Sequence, residues 1–132
     1  MKDIIIGIVL SALVVALLEI FKTLNRKLLG SLTLSGIAFI YIGFTWIDLQ
    51  SLALAIVGVA GFLSLAYFGF TYNYKLIVWG LLLHGLWDIA YPHFGIGVPQ
   101  GYDKFCITVD FLLALYFNWR LYPISAMSLS KP

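Results

Sequence analysis

Residues 52–70 read LALAIVGVAGFLSLAYFGF, nineteen positions without a charged side chain. At 1.5 Å of rise per residue a helix of this run is about 29 Å long, close to the ~30 Å hydrocarbon core of a bilayer. Inside a bilayer every backbone N–H and C=O must find its partner within the protein, which leaves only helices and closed barrels. A barrel strand alternates polar and apolar residues. This run is apolar nearly throughout, so a transmembrane helix is the expected structure.

Working outward, four more apolar segments flank this one: Ile4–Phe21, Leu32–Ile47, Leu76–Tyr91 and Phe105–Leu121. Breaks fall at 25–30, 48–51, 71–75 and 92–104, and only the last, with Pro92, Gly95, Gly97, Pro99 and Gly101, is long enough for a real loop. The expected fold is all-α: a polytopic integral membrane protein of the cell membrane, a compact bundle of five transmembrane helices forming one domain over residues 1–132. A bacterial inner membrane is the expected location.

Composition agrees. The chain is 62% hydrophobic and 11% charged with a mean hydropathy of +1.00, against roughly 45–50% and 25% in soluble domains. The net charge of +2 is scattered, which excludes the clustered basic face of a nucleic-acid binder. The single cysteine, Cys106, excludes an intrachain disulfide and paired-cysteine zinc or redox motifs. Lys2 and the run Ile4–Leu18 have the outline of a signal peptide, but no small-x-small cleavage site precedes Lys22, Arg26 and Lys27. The first segment is therefore expected to stay in the mature protein.

Lys and Arg in short loops are retained on the cytoplasmic side. With five spans, Lys22, Arg26, Lys27, Lys75, Arg120 and Lys131 share one side and Lys2 and Lys104 the other. The N-terminus is expected outside and the C-terminus inside. Tyr72, Tyr74, Trp119 and Tyr122 then fall at inner ends and Trp46, Tyr91 and Tyr102 at outer ends, as interfacial belts do. Gly58, Gly61 and Ser64, and likewise Thr33, Gly36 and Gly43, read as small-residue packing faces.

An ionisable side chain inside a bilayer costs about 2.5–3.5 kcal/mol on insertion scales and so marks a site by default. Glu19, His84, Asp88 and Asp110 qualify. His84 and Asp88 are four apart and share one helix face, with Trp87 beside it. Counting from the outer ends puts Asp88, His84 and Asp110 at depths of about 5, 10 and 9 Å. The last two spans are neighbours across a short loop, so the three residues can meet and open toward the outer face. Glu19 lies within one turn of Lys22, and an ion pair or snorkelling accounts for it.

Three chemistries fit His84, Asp88 and Asp110: a divalent metal held by three protein ligands and water, a proton relay, or an acid/base group acting on a lipophilic substrate. In the last, His84 is the general base and Trp87, Cys106 and His93 line the pocket. His93 follows the helix-ending Pro92 and joins a metal only if its loop folds back. Cys106, Asp110, Ala114 and Asn118 recur every fourth residue and give the fifth span one small or polar face, expected to point into protein. Gly95-Ile96-Gly97 lacks the strand, Lys and Ser/Thr of a phosphate loop.

The stretches Phe21-Lys22-Thr23-Leu24-Asn25-Arg26, Leu83-His84-Gly85-Leu86-Trp87-Asp88 and Val109-Asp110-Phe111 resemble a family of small bacterial integral membrane proteins known only as a domain of unknown function. The resemblance runs through most of the chain and centres on His-x-x-Trp-Asp, a Pro-containing loop and an intramembrane Asp. It implies a histidine where Tyr91 stands; here His93 lies beyond a proline instead, which separates this chain from a shared ligand set. The resemblance supports the fold and the site without naming an activity.

The sequence thus points to an intramembrane His/Asp site in the outer half of the bilayer that binds a cation, protons or a small lipophilic molecule, with enzymatic chemistry open. A homo-oligomeric transporter of small solutes or ions and a structural accessory subunit are the alternatives. Five helices enclose little more than their own side chains, so transport would call for a homo-oligomer.

Overall fold

The computed structural model describes residues 1–129, with side chains through Pro123. Lys131, counted above among the inner cations, lies outside the described residues. Five α-helices make up the described chain: α1 Lys2–Ile20, α2 Arg26–Thr45, α3 Leu49–Thr71, α4 Lys75–Ala90 and α5 Tyr102–Leu129, with a short 3-10 turn at Tyr91–His93. The first three are long and apolar enough to cross a membrane. At 16 residues, α4 measures about 24 Å, and the 3-10 turn continues it toward the loop.

Helix boundaries follow local capping. The Asn25 side chain accepts from the backbone N–H groups of Lys27 and Leu28, satisfying donors that no helix turn can reach. The second helix therefore starts at Arg26, well before the expected Leu32, because its cationic first turn is capped and not looped out. Asp48 caps α3 in the same way through the Ser51 N–H at 2.8 Å. The Ser51 hydroxyl and N–H hold the Asp48 carboxyl below the ordinary carboxylate range. α5 passes beyond the expected end at Leu121 and contains Pro123. Proline removes one N–H and crowds the preceding turn, yet its fixed φ is helical, so the helix continues to Leu129.

Contacts give the arrangement. α1 packs along α5, α5 along α4, and α4 along α3, while α2 pairs with α3 and also reaches α4 and α5. Asp3, Phe44, Ser51, Tyr91 and Gly101 meet at one end, where a Cβ on Gly101 would touch Asp3 and one on Gly97 would meet the Phe44 carbonyl. Both glycines have positive φ, 98° at Gly97 and 82° at Gly101, which lets the 94–101 loop fold back over the end of α2. Two further bonds hold the loop end: Ile96 N–H donates to the Ser51 hydroxyl at 3.0 Å and the Tyr91 hydroxyl to the Ser51 carbonyl at 3.0 Å. The opposite, basic end carries Lys22, Arg26, Lys27, Lys75 and Arg120.

The surface is apolar and the centre holds polar groups. Large hydrophobic side chains of every helix face outward, among them Ile5, Phe39, Val57, Trp79, Leu86 and Phe111. His84, Asp88 and Asp110 are buried with Leu34, Ile77, Leu81 and Phe117. Close approach of α3 to α4 depends on Gly58, where a Cβ would lie 2.9 Å from the Trp87 ring. Gly36, Gly43 and Gly61 meet nothing within 4 Å, so the small-residue faces expected there are not internal seams. Tyr91 and Tyr74, expected in interfacial belts, are buried at 1% and 5% exposure, whereas Trp46, Tyr72, Trp119 and Tyr122 are exposed.

Candidate cation site

The three ionisable residues brought together come from two antiparallel helices. His84 and Asp88 project from one face of α4 and Asp110 from the facing turn of α5. His84 Nδ1 lies 2.8 Å from Asp110 Oδ2 and 3.6 Å from Asp88 Oδ2. One ligand atom from each residue falls within 4.8 Å of the others. All three residues are at most 1% exposed.

A fourth member comes from α2. The buried Tyr41 hydroxyl donates to Asp88 Oδ1, fixing that carboxylate while its other oxygen faces His84. His84 Nε2, Asp88 Oδ2 and Asp110 Oδ1 are buried without a hydrogen-bond partner among the described residues. Buried polar atoms are paired in the great majority of native structures, and three exceptions in one cluster point to a species the cluster receives. Charge makes the same point. With both carboxylates ionised, two carboxylates and one imidazole carry a net negative charge even when the imidazole is protonated, and an uncompensated buried charge is costly. A proton or a metal cation is the small species that can neutralise it.

Aromatic rings wall the cluster. Phe62 of α3 stands edge-on to the His84 ring at 4.8 Å and Tyr41 at 5.8 Å. On the loop side Tyr41 meets Tyr91 at 4.6 Å and Tyr102 at 6.3 Å. This layer closes the direction in which the site was expected to open. A hollow opens laterally instead: a groove of about 280 Å³ between α4 and α5, in which Asp110 is the one polar residue among Leu82, Gly85, Leu86, Ile107 and Phe111.

The remaining expected residues divide. Cys106 is buried one turn before Asp110, within electrostatic reach of Asp88 and Asp110. Trp87 packs on Phe62 and Gly58, one ring removed from His84. His93 is exposed in the 3-10 turn and does not fold back to the cluster, because Pro92 starts a turn that carries it out from the bundle. Asn118, expected on the same inward face, is exposed, at the end of a groove between α4 and α5 opposite Lys75. Glu19 stays apart at the basic end, and its partner is not Lys22. It accepts from Arg120 Nε at 2.8 Å and from the Tyr116 hydroxyl at 2.6 Å, with Arg26 at 3.6 Å.

A family model described as a family of unknown function, DUF6010, matches residues 2–122. The chain belongs to the DUF6010 family. No curated protein and no solved structure matches it. The match takes in every residue of the His/Asp cluster of this DUF6010 chain, Tyr41 included. Tyr41 escapes a reading of the sequence because tyrosines near helix ends read as belt residues. A depth count exposes it: Tyr41 lies four residues before the end of α2, about 6 Å in, level with Asp88.

Proposed function

We propose that this chain is a five-span integral membrane protein, N-terminus outside, whose His84, Asp88 and Asp110 bind one divalent first-row cation in the outer half of the bilayer. The carrying observation is the convergence of three ligand atoms within 4.8 Å in a buried cluster of two carboxylates and one imidazole. Imidazole with two carboxylates is a donor set suited to Zn²⁺, Mn²⁺ or Fe²⁺, and three protein ligands leave a position for water or substrate. Tyr41 acts as the supporting group that orients Asp88. A cation bound here would polarise that water or substrate, and a carboxylate oxygen left off the metal would accept the proton. The reading favours a metal-dependent membrane enzyme or metal carrier over an accessory subunit, since a purely structural cluster would satisfy its own polar atoms.

Elemental analysis of detergent-purified protein, beside His84→Ala and Asp110→Asn, tests this. Stoichiometric metal in the native protein, lost in both variants with unchanged size-exclusion profiles, is the expected result. No metal in the native protein would overturn it and leave a proton-binding site built on the 2.8 Å His84–Asp110 pair.

A further inference from the structure

The α4–α5 seam carries a second hollow of about 240 Å³, lined by Val78, Trp79, Ala114 and Leu115 and ending at Lys75 and Asn118. It shares Leu82 and Phe111 with the groove beside Asp110. The two hollows form one channel along the outside of the bundle, from Ile89 at the loop end to Lys75 at the basic end, about 21 Å of helix rise.

Three features identify its occupant. The walls are apolar along nearly the whole length, and Leu86, Phe111, Leu115 and Trp79 are more than half exposed. At the basic end the exposed Lys75 on α4 faces Asn118 on α5 across the groove, with the Trp79 ring one turn inward. These are a cation and two hydrogen-bond donors at the level where an apolar chain gives way to a headgroup. Finally, Lys75 makes no salt bridge among the described residues. The chain has six acidic residues; Asp88 and Asp110 are buried, Glu19 is engaged by Arg120, and Asp3, Asp48 and Asp103 lie at the loop end. A second copy in the same membrane orientation therefore brings no free Asp or Glu side chain to Lys75.

We infer that the α4–α5 seam binds one anionic glycerophospholipid, its phosphate on Lys75 and Asn118 and an acyl chain running past Leu82 to Gly85, beside Asp110. Gly85 leaves room there: a Cβ would come no closer than 3.7 Å to the Asp110 side chain. The bound chain covers the lateral face of the His/Asp cluster. Lipid binding at the seam goes beyond the metal reading and does not require it.

Native mass spectrometry of the detergent-released full chain, delipidated and titrated with phosphatidylglycerol or with phosphatidylcholine of the same acyl chains, provides the test. One phosphatidylglycerol is expected to bind in preference to phosphatidylcholine. Lys75→Gln should cut that preference about fivefold, the effect of one basic residue near an anionic surface, while Lys104→Gln at the loop end leaves it unchanged. Leu82→Trp, at the junction of the two hollows, should lose both lipids. Equal binding of the two lipids, or an unchanged preference in Lys75→Gln, would overturn the inference. A lipid-free dimer broken by Leu82→Trp would overturn it as well and assign the seam to a second copy. Metal content measured on the same samples keeps failure of this inference distinct from failure of the metal site.

Discussion

Two polar clusters tie this apolar bundle together, one buried and one part-exposed at the basic end, and they are built on opposite principles. At the basic end Glu19 is saturated: Arg120 grips both carboxylate oxygens, Tyr116 donates to one of them, and Arg26 in turn donates to Tyr116 and to the Leu18 carbonyl. One carboxylate faces two guanidinium groups, both of its oxygens are used, and the cluster ties α1 to α5, the helix it packs along. Around His84 the balance is reversed, with two carboxylates against one imidazole and three polar atoms left without partners among the described residues. A cluster that completes itself acts as a clamp. One that is short of positive charge and of hydrogen-bond partners has the make-up that the proposed cation site calls for.

The largest expected effect separates the two directly. Glu19→Ala leaves Arg120, Arg26 and Tyr116 without their common acceptor, and should lower Tm in detergent more than Asp110→Asn, Tyr41→Phe, Gly58→Ala or Asn25→Ala while leaving metal stoichiometry intact. Asp110→Asn should do the opposite. Metal affinity falls by more than about 100-fold, beyond the ~10–100-fold typical of a supporting group. Tm measured in chelator stays level or rises, because a buried carboxylate short of positive charge is removed. If Asp110→Asn melts the metal-free protein as severely as Glu19→Ala, both clusters are structural and the contrast collapses.

Tyr41→Phe refines the contrast one step out from the ligands. It deletes a single hydroxyl whose described partner is Asp88. Metal affinity, read by competition with a chromogenic chelator, should fall about 10–100-fold with stoichiometry preserved.

The two clusters differ in how far the sequence discloses them. His84 and Asp88 follow from four-residue spacing on one helix, and Asp110 from counting depth along the next span, because both rules depend only on local helix geometry. Glu19 is visible as a charge within an apolar segment, but its partners Tyr116 and Arg120 are about a hundred residues away, and local spacing favours Lys22. Tyr41 escapes for a related reason: its significance lies in a bond between α2 and α4. The closing of the loop side by Tyr91 and Tyr102, and the lateral groove that replaces an outer mouth, arise from helix packing that no hydropathy profile encodes. The early start of α2 is legible in principle, since Asn25 before a cationic turn is a capping signal, but the charges draw the expected boundary inward.

Gly58→Ala perturbs the wall of the cluster without touching a polar atom. The new methyl would sit 2.9 Å from the Trp87 ring, and Trp87 stands against Phe62, which backs His84. Overpacking of this kind costs about 1–3 kcal/mol, and the better helix propensity of alanine offsets up to about 1 kcal/mol of that. A modest fall in Tm with a smaller fall in metal affinity than in Tyr41→Phe is expected. An affinity loss as large as that of Tyr41→Phe would show that the aromatic wall, and not the tyrosine hydroxyl, sets the ligand geometry.

The smallest effect belongs to the clamp's support. Asn25 caps the helix whose first residue is Arg26, so it positions the second guanidinium of the Glu19 cluster without contacting Glu19. Asn25→Ala should cost about 1 kcal/mol through the lost cap, and somewhat more through the loss of aim on Arg26, measured as a shift in the denaturation midpoint of detergent-solubilised protein. In a Glu19→Ala background Arg26 no longer has a carboxylate to meet, and the Asn25→Ala cost should then shrink toward the cap alone. A larger cost with Glu19 present than without it measures how much of the cap's effect lies in aiming Arg26. Equal costs in the two backgrounds would mean that the cap and the clamp are independent, and metal affinity should be unchanged in every case, since no described hydrogen bond or ion pair links the Glu19 cluster to His84.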